Sequence, residues 1–471
     1  MPDMKVAQMY KVLQSQKEQH VLEGPASLKL RIDRLDRCIA AVNKFKDQII
    51  VSLQEDFGNR DPVMSAATEV MAVIGPLEHA KKNLRKWMRS DKRRPSLPPL
   101  TPILPLLGAK AKIVYQPKGT IGCISPWNFP VNLVLAPMAG ILSAGNRAMI
   151  KPSEITEATS VVIKEMFDEY FDDDEVAVIL GDAQVGAAFS RMPFDHLLFT
   201  GGTEVAKHVM RAAAENLVPL TLELGGKSPV IVGDSSDIKA AAIRVMQGKT
   251  MNAGQICLAP DYALVPKDKT NDFVEESINA VTAMYPDLKD NEDYTSIVNQ
   301  RHFERIHTHL DDAREKGAEI IEINPSNEDF SQQAHYKIPP TLVLNTRDDM
   351  SIMQEEIFGP VLPIKAYAGV KEAVDYVNTK DRPLGLYYFG TDHKEQEYVE
   401  LNTTSGGVTV NDVVAHVAQE NLPFGGVGPS GMGSYHGIDG FREFSHAKSV
   451  YTQTKVNLNK LGGLVPPYKK D

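Results

Sequence analysis

Between residues 148 and 226 the chain alternates short apolar segments with amphipathic ones. Four segments have the length and composition of strands, at 148–151, 176–180, 196–200 and 218–224. Residues 155–170 and 205–213 place apolar side chains three and four positions apart, which is the spacing of one helix face. This alternation predicts a mostly parallel, doubly wound sheet, and hence an α/β fold.

A second α/β unit follows, and a helical region precedes both. Residues 31–90 carry apolar side chains at helical steps among charged ones, which predicts helices with one buried face. The candidate strands of the second unit lie at 229–232, 262–265, 341–344, 361–367, 387–389 and 407–410. Helical stretches separate several of these strands, so this unit is also predicted to be α/β.

A proline-rich segment interrupts the pattern after the helical region. It contains Pro95, Pro98, Pro99, Pro102 and Pro105. So many prolines exclude a helix interior or a central strand. We predict a surface linker or an arm that lies on another part of the protein. A polyproline ligand for another domain is the alternative, because the segment is rich in leucine.

The composition is that of a globular protein, with 471 residues of which 42% are hydrophobic and 24% charged. That length suffices for about two to four domains. Acidic residues outnumber basic ones by 61 to 51, which argues against a nucleic-acid partner because such proteins need a basic surface. Three cysteines cannot build a disulfide framework, and an odd thiol fits a reducing compartment.

Neither a signal peptide nor a membrane span is predicted. The first twenty residues contain charges and lack the apolar stretch of a signal peptide. The long uncharged run at 119–146 contains Pro126, Pro130 and Pro137, which would leave backbone groups unpaired in lipid. We therefore expect a buried loop and helix there, and a cytoplasmic protein that has no membrane partner.

One carboxylate falls where a parallel sheet binds ligands. In the segment VPLTLELGG, Glu223 lies on the face opposite to the leucines, at the end of the strand. Ligands of open α/β sheets bind at this carboxyl edge. Glu223 is therefore a candidate functional group, and a structural ion pair is the alternative.

Among the cysteines, Cys257 is the candidate for chemistry. It lies in MNAGQICLAP, after a helix that Asp237 could cap, in a loop whose small neighbours give access to the thiol. Cys38 lies in a helical stretch and Cys123 in an apolar one, where packing is expected. Taken alone, Cys257 too could be a small buried hydrophobe.

Asn128 is a candidate hydrogen-bond donor. In SPWNFPVN it stands between two aromatic residues and two prolines, which hold its amide between stiff neighbours. An amide fixed in this way can stabilise a developing oxyanion. A capping or turn asparagine is the alternative.

The residues that follow two of the predicted strands could bind a nucleotide. Gly201 and Gly202 open a strand-to-helix turn, where backbone can approach a phosphate at a helix N-terminus, although the turn is not the GxGxxG fingerprint. Lys151 and Glu154 follow another strand and could meet ribose hydroxyls or simply pair with each other.

A group of histidines, at positions 302, 307 and 309, has mixed spacing among charged residues. This spacing favours a solvated helix face over a metal site. We expect no metal.

These motifs together resemble the NAD(P)-dependent aldehyde dehydrogenase superfamily. The match rests on LELGGKSP, MNAGQICLAPDY, ISPWNFP, IKPSE, FTGG, EEIFGP and NLPFGGVGPSGMG, which occur in the family's order over nearly the whole chain. The short N-terminus and the wording of CLAPDY and PFGGVGPSGMG are most similar to the class 3 branch. Within that branch, the sequence most resembles the coniferyl aldehyde dehydrogenases.

The resemblance implies a mechanism. The Cys257 thiolate adds to the aldehyde carbon, and the Asn128 amide and the Cys257 backbone N–H hold the oxyanion. Hydride then leaves for the nicotinamide, and Glu223 activates the water that hydrolyses the thioester to a free acid. The expected substrate is an aromatic aldehyde such as coniferyl aldehyde. A general medium- or long-chain aliphatic aldehyde is the alternative.

The resemblance also implies the cofactor contacts. They are Trp127, Lys151, Glu154, Gly201, Gly202, Leu224, Glu356 and Phe358. Lys151 and Glu154 would meet the adenosine ribose and Glu356 the nicotinamide ribose, with Phe358 near the ring. Gly202 stands where many relatives have serine, and Ala206 where they have glycine, which leaves coenzyme preference open. We expect NAD ahead of NADP, because Glu154 would repel a 2′-phosphate.

The implied architecture has three parts. They are a Rossmann-type NAD-binding domain at 1–97 and 118–224, an α/β catalytic domain at 225–430, and a small β oligomerisation element with a C-terminal tail at 98–117 and 431–471. In the family such an element extends a neighbouring subunit's sheet, so we expect a homodimer, with the strand near 449–454 taking part.

Three other functions are less consistent with the residues. A scaffold that has lost activity would lack Cys257, Glu223 or Asn128, and all three are present. An acylating enzyme that transfers to coenzyme A is disfavoured by the base Glu223. A cysteine hydrolase would need a partner histidine in a recognisable motif.

Overall fold

The computed structural model describes residues 2–98, 100–461 and 464–468. Pro99 of the proline-rich segment, Met1, and tail residues 462–463 and 469–471 lie outside the described residues. The helices are α1 (Pro2–Glu23), α2 (Leu28–Phe57), α3 (Pro62–Ser65), α4 (Ala72–Trp87), α5 (Asn132–Ser143), α6 (Glu157–Tyr170), α7 (Ala183–Ser190), α8 (Thr203–Ala214), α9 (Ile238–Thr250), α10 (Thr270–Met284), α11 (Gln300–Glu315), α12 (Ser351–Gln354), α13 (Val370–Asn378), α14 (His393–Asn402), α15 (Gly437–Glu443) and α16 (Leu458–Leu461).

The strands form three sheets and confirm the predicted α/β class. They are β1 (Asp91–Arg93), β2 (Lys110–Pro117), β3 (Thr120–Ile124), β4 (Arg147–Lys151), β5 (Val176–Val178), β6 (His196–Thr200), β7 (Leu220–Glu223), β8 (Pro229–Val232), β9 (Tyr262–Pro266), β10 (Glu319–Glu322), β11 (Thr341–Leu344), β12 (Val361–Tyr367), β13 (Gly385–Phe389), β14 (Gly407–Val410), β15 (Gly431–Met432) and β16 (Ser445–Thr452). Every strand predicted in the two α/β units is present.

The first sheet has the strand order β15-β7-β6-β3-β4-β5. All its neighbours are parallel except β15, which pairs antiparallel with β7. Strand order reverses between β3 and β6, so the crevice beyond their carboxyl ends is the switch point where doubly wound sheets bind ligands. β3 was not predicted as a strand, and it is the strand that creates this switch point.

The second sheet has seven strands in the order β10-β11-β12-β9-β8-β13-β14, and only β10 runs antiparallel. The third sheet, β1-β2-β16, is antiparallel throughout. β16 begins at Ser445, four residues before the strand expected near 449. β15 adds to the first sheet although it lies in the segment assigned to the tail, and the domain boundaries themselves stay a prediction.

The helical region at 31–90 is broken. Ser27 caps α2 by accepting a hydrogen bond from the Leu30 N–H at 3.2 Å. The helix ends at Gly58, whose φ of 70° suits glycine. Asp61 caps the next helix, and residues 66–71 form a π-helix. Among the described residues, no helix is both long and apolar enough to cross a bilayer.

Candidate active site

The carboxyl edge of the first sheet gathers most of the predicted site. Trp127 and Asn128 follow β3, Lys151 ends β4, Gly201 follows β6 and Glu223 ends β7. These strands are neighbours in the sheet, so their ends open into one crevice.

The loop that carries Cys257 enters this crevice from the second sheet's side. After α9 the backbone turns through left-handed φ values of 49° at Asn252, 51° at Ala253 and 74° at Gly254. A Cβ on Gly254 would lie 2.3 Å from the Gly359 carbonyl oxygen, so only glycine fits. The buried Gln255 side chain donates to the Ser296 carbonyl at 3.0 Å and accepts from the Val298 N–H at 3.0 Å. The loop is therefore fixed just before the nucleophile candidate.

Asn128 contacts this same loop. Its side-chain Nδ2 donates to the Gln255 carbonyl at 3.1 Å, and the residue is 3% exposed. Its backbone carbonyl accepts from Asn252 Nδ2 at 3.2 Å. One amide N–H is used in this way, and the second stays available for an oxyanion.

Glu223 is buried beside Cys257. Burial raises the pKa of Glu223 to about 8, the nearby Cys257 thiol acts against this, and the Glu356 carboxylate adds to it. Neither carboxyl oxygen of Glu223 has a hydrogen-bond partner within the described part of the chain. A carboxylate held without partners next to the nucleophile can take a proton from the thiol or from a water.

The three cysteines differ as expected. Cys257 is partly exposed, whereas Cys38 and Cys123 are buried. Desolvation and the charges of Glu223 and Glu356 raise the pKa of Cys257 well above its ordinary value. Burial raises the pKa of Cys38 and of Cys123 to about 12, so those two thiols are packing groups.

Glu356 and Phe358 lie in the loop before β12. A Cβ on Gly225 would lie 2.3 Å from Glu356 Oε2, so that glycine makes room for the carboxylate. Burial raises the pKa of Glu356 to about 8, and its Oε1 has no partner among the residues described. Phe358 has a left-handed φ of 47°, and its ring meets the Trp127 ring edge to face at 5.4 Å.

The remaining cofactor candidates line the same edge. Lys151 Nζ donates to Glu154 Oε2 at 2.6 Å, so these two residues pair with each other. The Leu224 N–H donates to the Ser430 carbonyl at 3.1 Å. Gly202 is the N-cap of α8 with open space around it, and Ala206 is buried in the helix that follows.

The prediction of a solvated histidine face is wrong. His309 is buried, and its Nδ1 lies 2.8 Å from Ser351 Oγ. The His302 ring packs on Trp127 with centroids 4.9 Å apart. This face of α11 is turned inward and also carries Arg305, whereas Arg301 and Glu304 are exposed. No group of three or more metal-ligating side chains occurs in the ranges that the structure describes.

Sequence reasoning missed several residues that support the site. Arg305 on α11 donates to the Ile357 carbonyl at 2.8 Å, and Asp261 accepts from the Ile357 N–H at 2.9 Å. Arg60 donates to the Asn128 carbonyl at 3.0 Å. These residues are distant in sequence from the motifs they support, and no local spacing could have indicated them.

Comparison with known proteins agrees with this geometry. The profile of the aldehyde dehydrogenase family matches residues 1–450. A substrate-bound structure of Staphylococcus aureus AldH superposes with a TM-score of 0.88 at 35% identity, over 95% of each chain. Betaine aldehyde dehydrogenase from Staphylococcus aureus in complex with NAD+ superposes with a TM-score of 0.84 at 25% identity, over 95% of this chain and 88% of that one. The chain belongs to the aldehyde dehydrogenase family and catalyses the NAD(P)-dependent oxidation of an aldehyde.

Three relatives with named activities show which kinds of aldehyde dehydrogenase the chain is similar to. A probable coniferyl aldehyde dehydrogenase of Caulobacter vibrioides is 59% identical over 467 residues, which cover 99% of this chain and 95% of that protein. The coniferyl aldehyde dehydrogenase of a Pseudomonas species is 51% identical, over 98% of this chain and 94% of that protein. The dimeric, NADP-preferring aldehyde dehydrogenase of Rattus norvegicus is 35% identical, over 94% of each.

Proposed function

We propose that Cys257 is the nucleophile and that Asn128 and the Cys257 backbone N–H form the oxyanion hole. The Cys257 thiol first gives up its proton, to Glu223 or to a water, and the thiolate sulfur then forms a bond to the aldehyde carbon while the carbonyl π electrons move to oxygen. Two N–H donors stabilise this oxyanion. A hydride then leaves the carbon, the C=O bond re-forms, and a thioester on Cys257 remains. The observation that carries this proposal is the meeting of the Cys257 loop with the Asn128 amide.

Glu223 serves as the base for hydrolysis. In its ionised form it takes a proton from a water, which attacks the thioester and displaces the Cys257 thiolate. The product is the free carboxylic acid. The burial of Glu223 beside Cys257, with no competing hydrogen-bond partner among the described residues, supports this role.

The residues at the sheet edge fit a dinucleotide. The N-terminus of α8 at Gly202 carries no side-chain cap and would receive the pyrophosphate. Glu356 Oε1, which has no hydrogen-bond partner among the described residues, would accept from a ribose hydroxyl. When bound, the cofactor supplies the hydride acceptor. In this proposal Lys151 and Glu154, which lie at the end of β4 and just after it, would contact the adenosine ribose, and Trp127, Leu224 and Phe358 would pack along the nucleotide. We expect NAD to be preferred, because the Glu154 carboxylate repels a 2′-phosphate.

We further propose an aromatic substrate, with coniferyl aldehyde first. The support is the substrate named for two relatives that are 59% and 51% identical. A medium- or long-chain aliphatic aldehyde is the alternative.

The test is the formation of NADH and NADPH at 340 nm with coniferyl aldehyde, benzaldehyde and hexanal in parallel. We expect turnover of coniferyl aldehyde with NAD and none in Cys257→Ala. Equal or better turnover of hexanal would leave the mechanism in place and contradict the substrate. Full activity of Cys257→Ala would contradict the mechanism.

We also propose a homodimer in the cytoplasm. β16 is an edge strand, and the neighbouring arm exposes Leu97, Ile103 and Leu106, which a second subunit would cover. Sedimentation at micromolar concentration should give twice the mass of one chain. A monomer or a tetramer would refute the dimer. The three unpaired thiols suit the reducing cytoplasm.

A further inference from the structure

Behind the active site lies a buried ion pair that the mechanism does not use. Arg60 is 1% exposed and Glu69 is fully buried, and their side chains meet at 2.9 Å. Burying two charges is costly, and replacement by apolar side chains is often neutral or stabilising. The pair therefore has a poor explanation in stability alone.

The ion pair forms hydrogen bonds with both ends of the segment 128–132. Arg60 Nη1 donates to the Asn128 backbone carbonyl at 3.0 Å. Glu69 Oε2 accepts from the Val131 N–H at 3.0 Å and from the Asn132 N–H at 2.8 Å, where α5 begins. Asn128 is thus held at its own carbonyl and through the Val131 and Asn132 N–H groups, three and four residues later.

The neighbours of Arg60 and Glu69 restrict the movement of both side chains. The Arg60 guanidinium lies between two aromatic rings, 4.8 Å from the Phe57 centroid and 5.0 Å from the Phe129 centroid. Glu69 lies in the π-helix at 66–71, an irregular turn of the kind often found at functional sites. Glu69 accepts from Arg60 and from the Val131 and Asn132 N–H groups, and these donors favour the ionised carboxylate against the burial that raises its pKa.

We propose that Arg60 and Glu69 form a clamp that positions the Asn128 amide for the oxyanion. Both are positioning residues, since they act through Asn128. The inference rests on the proposed role of Asn128. An amide displaced by about 1 Å loses much of its effect on the transition state, so loss of the clamp should lower kcat by about 10- to 100-fold.

The test uses Arg60→Met/Glu69→Leu, which removes both charges together and leaves neither one unpaired. Asn128→Ala and the combined triple variant complete a double-mutant cycle, with kcat and the KM values for aldehyde and NAD as readouts. We expect kcat to fall in Arg60→Met/Glu69→Leu with little change in the KM for NAD. In the Asn128→Ala background, the same change should cause little further loss.

Two further measurements separate positioning from general damage. The alkylation of Cys257 by iodoacetamide forms no oxyanion, so its rate should stay as in the wild type. Arg34→Met/Glu175→Leu removes another ion pair, 2.9 Å long, between α2 and the segment before β5, and should leave kcat unchanged. If the Arg60→Met/Glu69→Leu chain fails to fold, Glu69→Gln serves instead, because an amide oxygen cannot accept from all three donors.

The outcomes are distinct. Wild-type kcat in Asn128→Ala would overturn the oxyanion role and the clamp with it. Impaired Asn128→Ala together with wild-type kcat in the clamp variant would overturn the clamp alone. Losses that multiply in the triple variant would show that the pair acts elsewhere, which also overturns the inference.

Discussion

At the scale of single residues, burial gives Glu223 a pKa of about 8, and this sets when it can act as a base. Below that pH most of the carboxyl is protonated, so the reactive fraction rises with pH. Where thioester hydrolysis limits turnover, kcat should rise as the pH passes through about 8. Steady-state NADH formation between pH 6 and 9.5 measures this.

Glu223→Gln is the control for that profile. It should lower kcat by about 10²- to 10⁴-fold and remove the rise. Oxidation still precedes hydrolysis, so a rapid burst of up to one NADH per subunit should remain in stopped flow. A rise near pH 8 that persists in Glu223→Gln would assign it to another group, and Glu356, whose pKa burial also raises to about 8, is the candidate.

The three thiols should differ in reactivity. Cys38 and Cys123 are buried with the pKa of each raised to about 12, while Cys257 is partly exposed. Iodoacetamide should therefore modify one thiol in the native protein, faster at higher pH, and three after denaturation. Mass spectrometry gives the count. Modification of native Cys257→Ala would contradict this assignment.

At the scale of elements, α11 holds the loop that carries Glu356 and Phe358. Arg305 reaches the Ile357 carbonyl at 2.8 Å and the Glu356 carbonyl at 3.3 Å, and this holds the left-handed turn at Phe358. Arg305→Met leaves these carbonyls without their donor and should raise the KM for NAD by about ten-fold, with a smaller effect on kcat. Arg301→Met, on an exposed face of the same helix, is the matched control. Equal KM values in the two variants would refute a role for Arg305.

The elements also show what the sequence could predict. Most strands of the two α/β units follow from apolar runs of the right length, and the ends of β4, β6 and β7 follow with them. The short antiparallel edge strands β10 and β15 were not predicted, because neither contains such a run. β3 was missed because TIGCI has no alternation, as expected of a strand buried on both faces. The histidine face of α11 was misassigned because local charge does not tell which face a neighbouring loop covers.

The same limit applies to the supports of the site. Cys257, Glu223 and Asn128 could be predicted as site residues because each stands in an ordered motif. Arg60 lies in the break between α2 and α3 and Glu69 in the π-helix nine residues later, so the way the chain turns between them brings the two side chains together. A buried ion pair produces no periodic pattern in a sequence. Its position beside Asn128 could therefore be seen only in the structure.

At the scale of the whole molecule, the two buried carboxyls of the site should lower the free energy of unfolding at alkaline pH. Glu223 and Glu356 both have a pKa raised from 4.5 to about 8 in the folded state. Between those values the folded protein keeps protons that the unfolded chain releases, so the free energy of unfolding falls as pH rises. Glutamine keeps the shape without the charge. Glu223→Gln and Glu356→Gln should each raise Tm at pH 8.5 by about 2 to 4 °C, and by less at pH 5. Differential scanning fluorimetry at both pH values measures this, with the exposed Glu55→Gln as control. A gain that is equal at the two pH values would mean that packing, and not the ionisation of these carboxyls, causes it.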